Sequence, residues 1–417
     1  MRELSTAEIV AVGSELLTPH RSDTNSLYLT AQLNEIGIDV RAKAIVGDDD
    51  ADLTGVFRQA LARADVVMFT GGLGPTADDI TREVVARVLG LTLEEDATIL
   101  MTLRDRFARR GLAMPEINRR QAQVPHGASP LPNPNGTAPG LWIEQGEQVV
   151  VLLPGPPREL QAMFEAHVRP RLAARTGGRR LRRRVIKMTG RPESHVEEIA
   201  QPLYVKMVDW PIPVRTTILA APGQIELHLT AIGADLDGVD RALDDAVRAL
   251  STALGSIVFS TDGRNLPEVV GDLLRDRAQR IAVAESCTGG LVQSRLTDVP
   301  GSSQWVLGGV MAYANEVKIE QLGVSPVLIE EHGAVSEAVA GAMAEGVRER
   351  LHADLGVGVT GIAGPTGGTP SKPVGTVMIA VTGRPARTFN FPGDRNTVRL
   401  QATQAALEMV RRALLLP

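Results

Sequence analysis

A single cysteine, Cys287, stands among 417 residues, so no internal disulfide can form. Aromatic side chains make up only 3% of the chain, too few for the stacking platforms that hold single-stranded nucleic acid. Lys plus Arg number 44 against 49 for Asp plus Glu, a net charge of -5, and no global basic field exists to attract DNA. Nucleic acid is therefore disfavoured as a partner. No window approaches the ~18 consecutive apolar residues of a membrane span, and the N-terminus lacks the basic stretch and apolar core of a signal peptide. A cytoplasmic, non-membrane protein is expected. No repeat or low-complexity tract is visible.

The length suits two or three domains, and 43% hydrophobic with 22% charged residues is ordinary for a globular chain. The 41 glycines and 26 prolines are about 16% of the residues, against an ordinary ~12%. They gather in the clusters GGLGP, LPGPP and GIAGPTGG. Apolar segments at 9–12, 40–46, 65–70 and 149–153 read as strands, with helical patterns between them, the alternation of a parallel α/β sheet. Each strand runs into a polar or Gly-rich loop: 13–15, 47–49, 71–76 and 154–157. In open parallel sheets such loops meet at the carboxyl edge, where ligands bind. Thr76 and Asp79 have the spacing of a capping box, predicting a helix from Thr76 that Gly90 closes.

Eight arginines and no acids fill 169–184, which reads as a domain boundary and a solvated linker or strand face. A small α+β module follows, with strands at 185–189 and 224–231 and helices at 193–201 and 238–254. After a linker-like stretch at 260–265, a third α/β domain begins. The expected domains are 1–170, 171–260 and 261–417.

In the third domain Ser286 of Glu285-Ser286-Cys287-Thr288-Gly289-Gly290 lies where a strand gives way to a helix, whose N-terminal amides can stabilise an oxyanion. Alone, such a serine reads first as a helix cap. Lys318, in Tyr313-Ala314-Asn315-Glu316-Val317-Lys318, supplies the lysine that serves as base where a serine nucleophile has no histidine, although a solvated surface lysine is the ordinary alternative. Thr360-Gly361-Ile362-Ala363-Gly364-Pro365 allows close backbone approach to a ligand, and Arg395 at a helix start suits a phosphate.

The ordered blocks AESCTGG, PGSSQW, AYANEVK, HGAVSE, TGIAGPTGG, KPVGTV and FPGDR resemble the C-terminal domain of the CinA family (competence/damage-inducible protein A), which includes nicotinamide mononucleotide deamidases. The resemblance covers about 265–417. It implies hydrolysis of the nicotinamide carboxamide to a carboxylate plus ammonia without a cofactor, with Ser286 as nucleophile and Lys318 as general base. Tyr313, Ser303 and Thr360 would complete the hydrogen-bond network. Gly289, Gly290, Gly361 and Gly364 would approach the substrate, and Arg395 its phosphate. Cys287 reads as a small buried filler.

The blocks VGSELL, DTNS, VGDDD, FTGGLGPTADDIT and LPGPPREL resemble the N-terminal half of the same family, which shares the three-layer molybdopterin-binding fold of MogA and MoeA. Gly71, Gly72, Gly74, Asp79 and Thr81 match its Gly-Gly-x-Gly and Asp-x-Thr signature. Leu73 stands where Thr is usual and Asp78 where Arg is usual, which argues against pterin chemistry. In CinA-type proteins this domain is associated with metal-dependent hydrolysis of ADP-ribose. Gly71, Gly72, Gly74, Thr76 and Asn25 would bind that substrate, while Asp78 and Asp79 would hold a divalent Mg, Mn or Co ion. The ordinary alternative for these two acids is helix-dipole and capping duty. Glu15, Asp48, Asp49 and Glu159 are weaker candidates. The family also implies a homodimer. The competing function is a molybdopterin-binding protein with a non-catalytic role in competence or the DNA damage response.

Overall fold

The computed structural model describes residues 2–415. The chain divides into two compact units, one running to Arg182 together with Ala231–Asp240, the other comprising Arg183–Thr230 and the residues from Arg241 onward. The switch falls inside the arginine run.

The first unit alternates β1 (Thr6–Val12), α1 (Asn25–Glu35), β2 (Asp39–Val46), α2 (Asp50–Arg63), β3 (Val66–Thr70) and α3 (Thr81–Leu89). Then follow β4 (Leu93–Glu95), α4 (Ala97–Ala108), β5 (Gln123–Pro125), β6 (Ser129–Leu131), β7 (Gly140–Gln145), β8 (Gln148–Leu153), α5 (Pro157–Met163) and α6 (Arg169–Ala173). The main sheet has the order β2-β1-β3-β8-β7-β6, its first four strands parallel and the last two antiparallel. Strand periodicity splits the apolar runs between two cores. Ile9, Val66, Met68, Val149 and Val151 pack with Leu29 and Leu33 of α1 on one face. Val10, Val67, Phe69, Val150 and Leu152 pack with Phe57 of α2 and Val84 of α3 on the other. The result is the expected three-layer α/β arrangement.

The chain then forms β9 (Arg180–Thr189), α7 (Glu193–Met207), β10 (Arg215–Ala221), β11 (Gln224–Gly233), α8 (Leu236–Leu254) and β12 (Val258–Ser260), with the strands in a sheet of order β10-β11-β9-β12. It continues with α9 (Leu266–Asp276), β13 (Ile281–Glu285), α10 (Leu291–Thr297), β14 (Val306–Met311), α11 (Asn315–Leu322), α12 (Pro326–His332) and α13 (Glu337–Arg350). The last elements are β15 (Leu355–Gly361), β16 (Thr376–Val381), β17 (Arg387–Asn390) and α14 (Arg395–Leu415). Their sheet has the order β14-β13-β15-β16-β17, with β14, β13 and β15 parallel. Helices α9 and α14 cover one face and α13 the other. Helix α13 lies against bare backbone, because a Cβ at Gly358 would stand 2.1 Å from the Ala340 carbonyl oxygen.

Several expectations need correction. Of the two readings of the arginine run, the solvated strand face holds for 180–184, which open β9 exposed or half-buried, whereas 169–173 form α6 rather than a linker. No helix starts at Thr76. The Asp79 carboxylate accepts the amides of Gly74 and Thr76 at 2.8 Å each and the Thr76 hydroxyl, which closes a turn instead, and α3 begins at Thr81. Gly90 does end that helix, in the left-handed conformation. Strands β10, β12 and β17 were not anticipated.

Candidate functional sites

In the second unit β13 runs apolar and buried to Glu285, and Ser286 follows it. The Ser286 amide still extends the sheet, donating to the Val359 carbonyl at 2.9 Å. Its neighbour Glu285 is fully buried and was not singled out from sequence. Its carboxylate accepts the amides of Gly290 (3.0 Å), Val292 (3.1 Å) and Gln293 (2.9 Å). Those are the first free N–H groups of α10, so a fixed anion caps this helix. The helix-terminal amides from which an oxyanion role is expected are therefore already held by the Glu285 carboxylate. Gly289 and Gly290 have φ of 60° and 91°, the left-handed region that the turn after Ser286 requires.

Lys318 reaches this turn from α11. It is only 1% exposed, and its Nζ donates to the carbonyls of Ala312 (2.9 Å) and Tyr313 (3.0 Å) while standing 3.5 Å from the Ser286 Oγ. Burial holds its pKa below the ordinary lysine value, against the opposing charge of Glu316. A neutral amine has two N–H groups and one lone pair. With both N–H groups donated to carbonyls, the lone pair is left for the serine hydroxyl.

Tyr313 enters the hydrogen-bond network in two ways. Its backbone holds Lys318, whereas its ring is 59% exposed and its hydroxyl accepts from Arg395 Nη2 at 3.3 Å. Arg395 also donates from Nη1 to the Gly364 carbonyl at 2.9 Å, so the Gly-rich loop and the start of α14 meet here. One turn on, Arg399, unnoticed in the sequence, donates to the Thr288 carbonyl at 2.9 Å. Thr360 is buried and donates to the Ala334 carbonyl at 2.8 Å, and Lys372 pins the same loop through the carbonyls of His332 (2.9 Å) and Val335 (2.7 Å). Gly361 packs against the Thr376 carbonyl, which a Cβ would approach to 2.8 Å. Ser303 is the exception. It precedes β14, whose Val306 pairs with Ile281 at the start of β13, so Ser303 lies at the opposite sheet edge from Ser286. At about 3.3 Å per residue one strand length separates the two, and within one chain Ser303 is outside the site.

Cys287 is buried in the core and its thiol is pushed up to about 12, chiefly by burial. It is no nucleophile near neutral pH. Cys287→Ala should cost on the order of 1 kcal/mol of stability and retain most of whatever activity Ser286 supports. Loss of turnover in folded Cys287→Ala, with Ser286→Ala still active, would contradict this.

In the first unit the loops after β1, β2, β3 and β8 line one cavity of about 340 Å³. Gly71, Gly72, Gly74, Asp78 and Asp79 are all in its wall. Asn25 lies in an adjoining cavity and donates to the Gly155 carbonyl at 2.7 Å. Thr76 turns to Asp79 rather than to the cavity. The Gly71 amide donates to Leu153 and that of Gly74 to Asp79, which leaves Gly72 and Leu73 as the loop donors toward a ligand. Two arginines missed by sequence reasoning brace this loop. Arg82, fully buried, donates to the Leu73 carbonyl at 3.0 Å, and Arg120 donates to the carbonyls of Thr76 and Asp79 and pairs with Glu83 at 2.8 Å.

Five carboxylates, those of Glu15, Asp48, Asp78, Asp79 and Glu159, line the cavity, and no lysine or arginine does. Carboxylate oxygens are the ligand type of a hard divalent cation, and five in one wall repel a bare anion. Among the described residues no three His, Cys, Asp or Glu side chains are already gathered as a metal-holding group. Asp79 holds the amides of two loop residues whereas Asp78 meets at most the Thr76 hydroxyl, so the two should differ on substitution. Asp79→Asn should loosen the loop and lower the melting temperature, whereas Asp78→Asn should leave it unchanged. Equal melting temperatures for both variants and the unaltered chain would remove the loop-holding role of Asp79.

Comparison with known proteins matches residues 263–414 to the family described as "CinA C-terminal domain" and residues 8–174 to the one described as "Probable molybdopterin binding domain". A CinA-like protein of Koribacter versatilis is 48% identical over 98% of this chain and 100% of its own length. One of Acidobacterium capsulatum is 45% identical with the same coverage. Among solved structures, the competence/damage inducible protein CihA of Agrobacterium tumefaciens is 37% identical over 36% of this chain and 94% of its own, with a TM-score of 0.34. No helix among the described residues is long and apolar enough to cross a membrane.

Proposed function

The chain belongs to the CinA family, and from the site geometry we propose that its C-terminal domain hydrolyses the carboxamide of nicotinamide mononucleotide to nicotinate mononucleotide and ammonia. The observation that carries this reading is the buried Lys318 amine, spent on two carbonyls and facing the Ser286 Oγ at 3.5 Å. Lys318 takes the hydroxyl proton as Ser286 Oγ attacks the carboxamide carbon. The lysine proton passes to the leaving nitrogen, which departs as ammonia. Water, deprotonated in turn by Lys318, then cleaves the acyl ester to the carboxylate and restores the serine. Arg395, at the start of α14 beside the Gly-rich loop, supplies positive charge for the mononucleotide phosphate. The test is ammonia release by the full chain from a panel of nicotinamide, its riboside, its mononucleotide and its dinucleotide. Selective release from the mononucleotide is expected, and none from any of the four would overturn the assignment.

For the N-terminal domain the reading is hydrolysis of the pyrophosphate of ADP-ribose to AMP and ribose 5-phosphate. Its support is the acidic lining, to which no lysine or arginine side chain contributes. The carboxylates of the cavity, Asp78 foremost, would hold a divalent metal, which supplies charge neutralisation for the pyrophosphate when bound. The amides of Gly72 and Leu73 would orient the phosphates. AMP release with magnesium, manganese or cobalt tests this. No AMP with any of the three, together with tight molybdopterin binding, would replace it with pterin binding.

A further inference from the structure

Two arginines at the end of the first unit's sheet away from the glycine loop are held in place with donors to spare. Arg171 of α6 lies over the Trp142 ring of β7, its guanidinium carbon 5.4 Å from the ring centre. Among the described residues it makes no ion pair and no hydrogen bond. A guanidinium fixed through its flat face keeps the N–H groups of its edge for a ligand. Arg175, one turn on, has a side chain only 11% exposed, yet its Nε and Nη1 have no hydrogen-bond partner among the described residues. Its ion-pair partner, Glu144 Oε1, stands 3.6 Å from Nη1, too far for a hydrogen bond, and accepts from Trp142 Nε1 at 3.0 Å. Only Nη2 is used, donating to the Glu147 carbonyl at 3.4 Å. Buried N–H groups left unpaired are rare in folded proteins, and a bound ion is one way to satisfy them.

Arg171, Arg175, Glu144 and Ser129 line one cavity of about 550 Å³. It shares no residue with the acidic cavity. Glu144 pairs with Val149 at the start of β8, whereas the acidic loops follow the ends of the parallel strands, so the two cavities lie at opposite ends of the sheet. Two guanidiniums and a serine hydroxyl suit an oxyanion. Glu144 decides which one. Its Oε2 accepts no hydrogen bond within the described residues, and a carboxylate here repels an anion without a proton but accepts from one that carries a hydroxyl. From these contacts we propose that the cavity is a phosphate site, in which Arg171 and Arg175 clamp the phosphate oxygens and a P–OH donates to Glu144. Sulfate has the same shape and no such proton near neutral pH. The site is separate from both proposed activities and depends on neither.

A free phosphate ion and a phosphate monoester share this chemistry and differ in acidity, since an ester loses its last proton at about pH 6 whereas the free ion keeps one well above that. The test is calorimetric titration at about pH 8 with inorganic phosphate, sulfate and ribose 5-phosphate. It uses the metal-free full chain and, in parallel, Arg395→Ala, which removes the cation proposed for the mononucleotide phosphate. Inorganic phosphate should bind both proteins, with the other two anions at least ~10-fold weaker in Arg395→Ala. Arg171→Ala should weaken phosphate about tenfold or more, Arg175→Gln likewise, and Glu144→Gln should admit sulfate. Arg171 is exposed, so Arg171→Ala reads the site even where Arg175→Gln does not fold. At about pH 5, where the ester is protonated, binding of ribose 5-phosphate would extend the site to monoesters, and its exclusion would restrict the site to the free ion. No phosphate binding by the full chain, or binding left unchanged by Arg171→Ala, would overturn the site. Sulfate bound as tightly as phosphate in Arg395→Ala would overturn the selection by Glu144 and the proposal with it.

Discussion

Ser286→Ala should lower ammonia release from nicotinamide mononucleotide by at least ~10³-fold while leaving the fold intact. The hydroxyl sits at the end of β13 with its backbone in the sheet ladder, and its side chain is almost buried. Removing one oxygen leaves the ladder, the Glu285 cap and the Lys318 anchors in place. The loss should therefore fall on kcat, with little change in substrate affinity, because a nucleophile contributes to the transition state rather than to ground-state binding. Steady-state kinetics with circular dichroism as a control for folding checks this. Near-normal turnover in folded Ser286→Ala would take the serine out of the mechanism.

Lys318→Arg should lower the same activity by at least ~10²-fold at every pH between about 6 and 10. Arginine keeps a cation at the position but does not give up its proton in that range. Burial disfavours the charged form of Lys318 and so makes its proton easier to give up. Lys318→Met, close in size and unable to carry a proton, should be as inactive as the arginine variant. The pair of variants separates a base from a charge partner. Substantial activity in Lys318→Arg with none in Lys318→Met would mean that only the positive charge matters.

The fold was legible where both faces of a strand are buried. Ile9-Val10-Ala11-Val12 and Val149 to Leu153 are unbroken apolar runs because every residue is buried and the large side chains alternate between two cores. Strand β10 escaped notice because every one of its residues is exposed or only half-buried, so little hydrophobic pattern marks it. The helix after the glycine loop was placed five residues early. A Thr-x-x-Asp spacing suits a capping box and equally a closed turn, and the carboxylate chose the loop amides.

The site was legible as residue types and only partly as geometry. Ser286 and Lys318 lie 32 positions apart, and only the folding of α11 back over β13 brings them together. Ser303 shows the reverse case. A motif next to a site in chain order lies at the far sheet edge, because parallel strands put loops on alternate edges. Arg82, Arg399 and Lys372 were invisible for a common reason. Each anchors to backbone carbonyls, which every residue carries, so no partner side chain marks them in the sequence. Glu285 had a readable signal, an acid closing an all-apolar strand just before a helix, where only an anion meeting free amides is stable.

The most direct test of the serine–lysine account is the pH dependence of kcat/KM for ammonia release from nicotinamide mononucleotide by the unaltered chain. A buried Lys318 acting as base is active only when neutral, so the rate should climb as pH rises through its lowered pKa and then level off. The midpoint should lie below the ordinary lysine value of about 10.4. A rate that is flat from about pH 5 to 10, or one that falls as pH rises through that window, would contradict the account, because the neutral amine would then not be the species that activates Ser286.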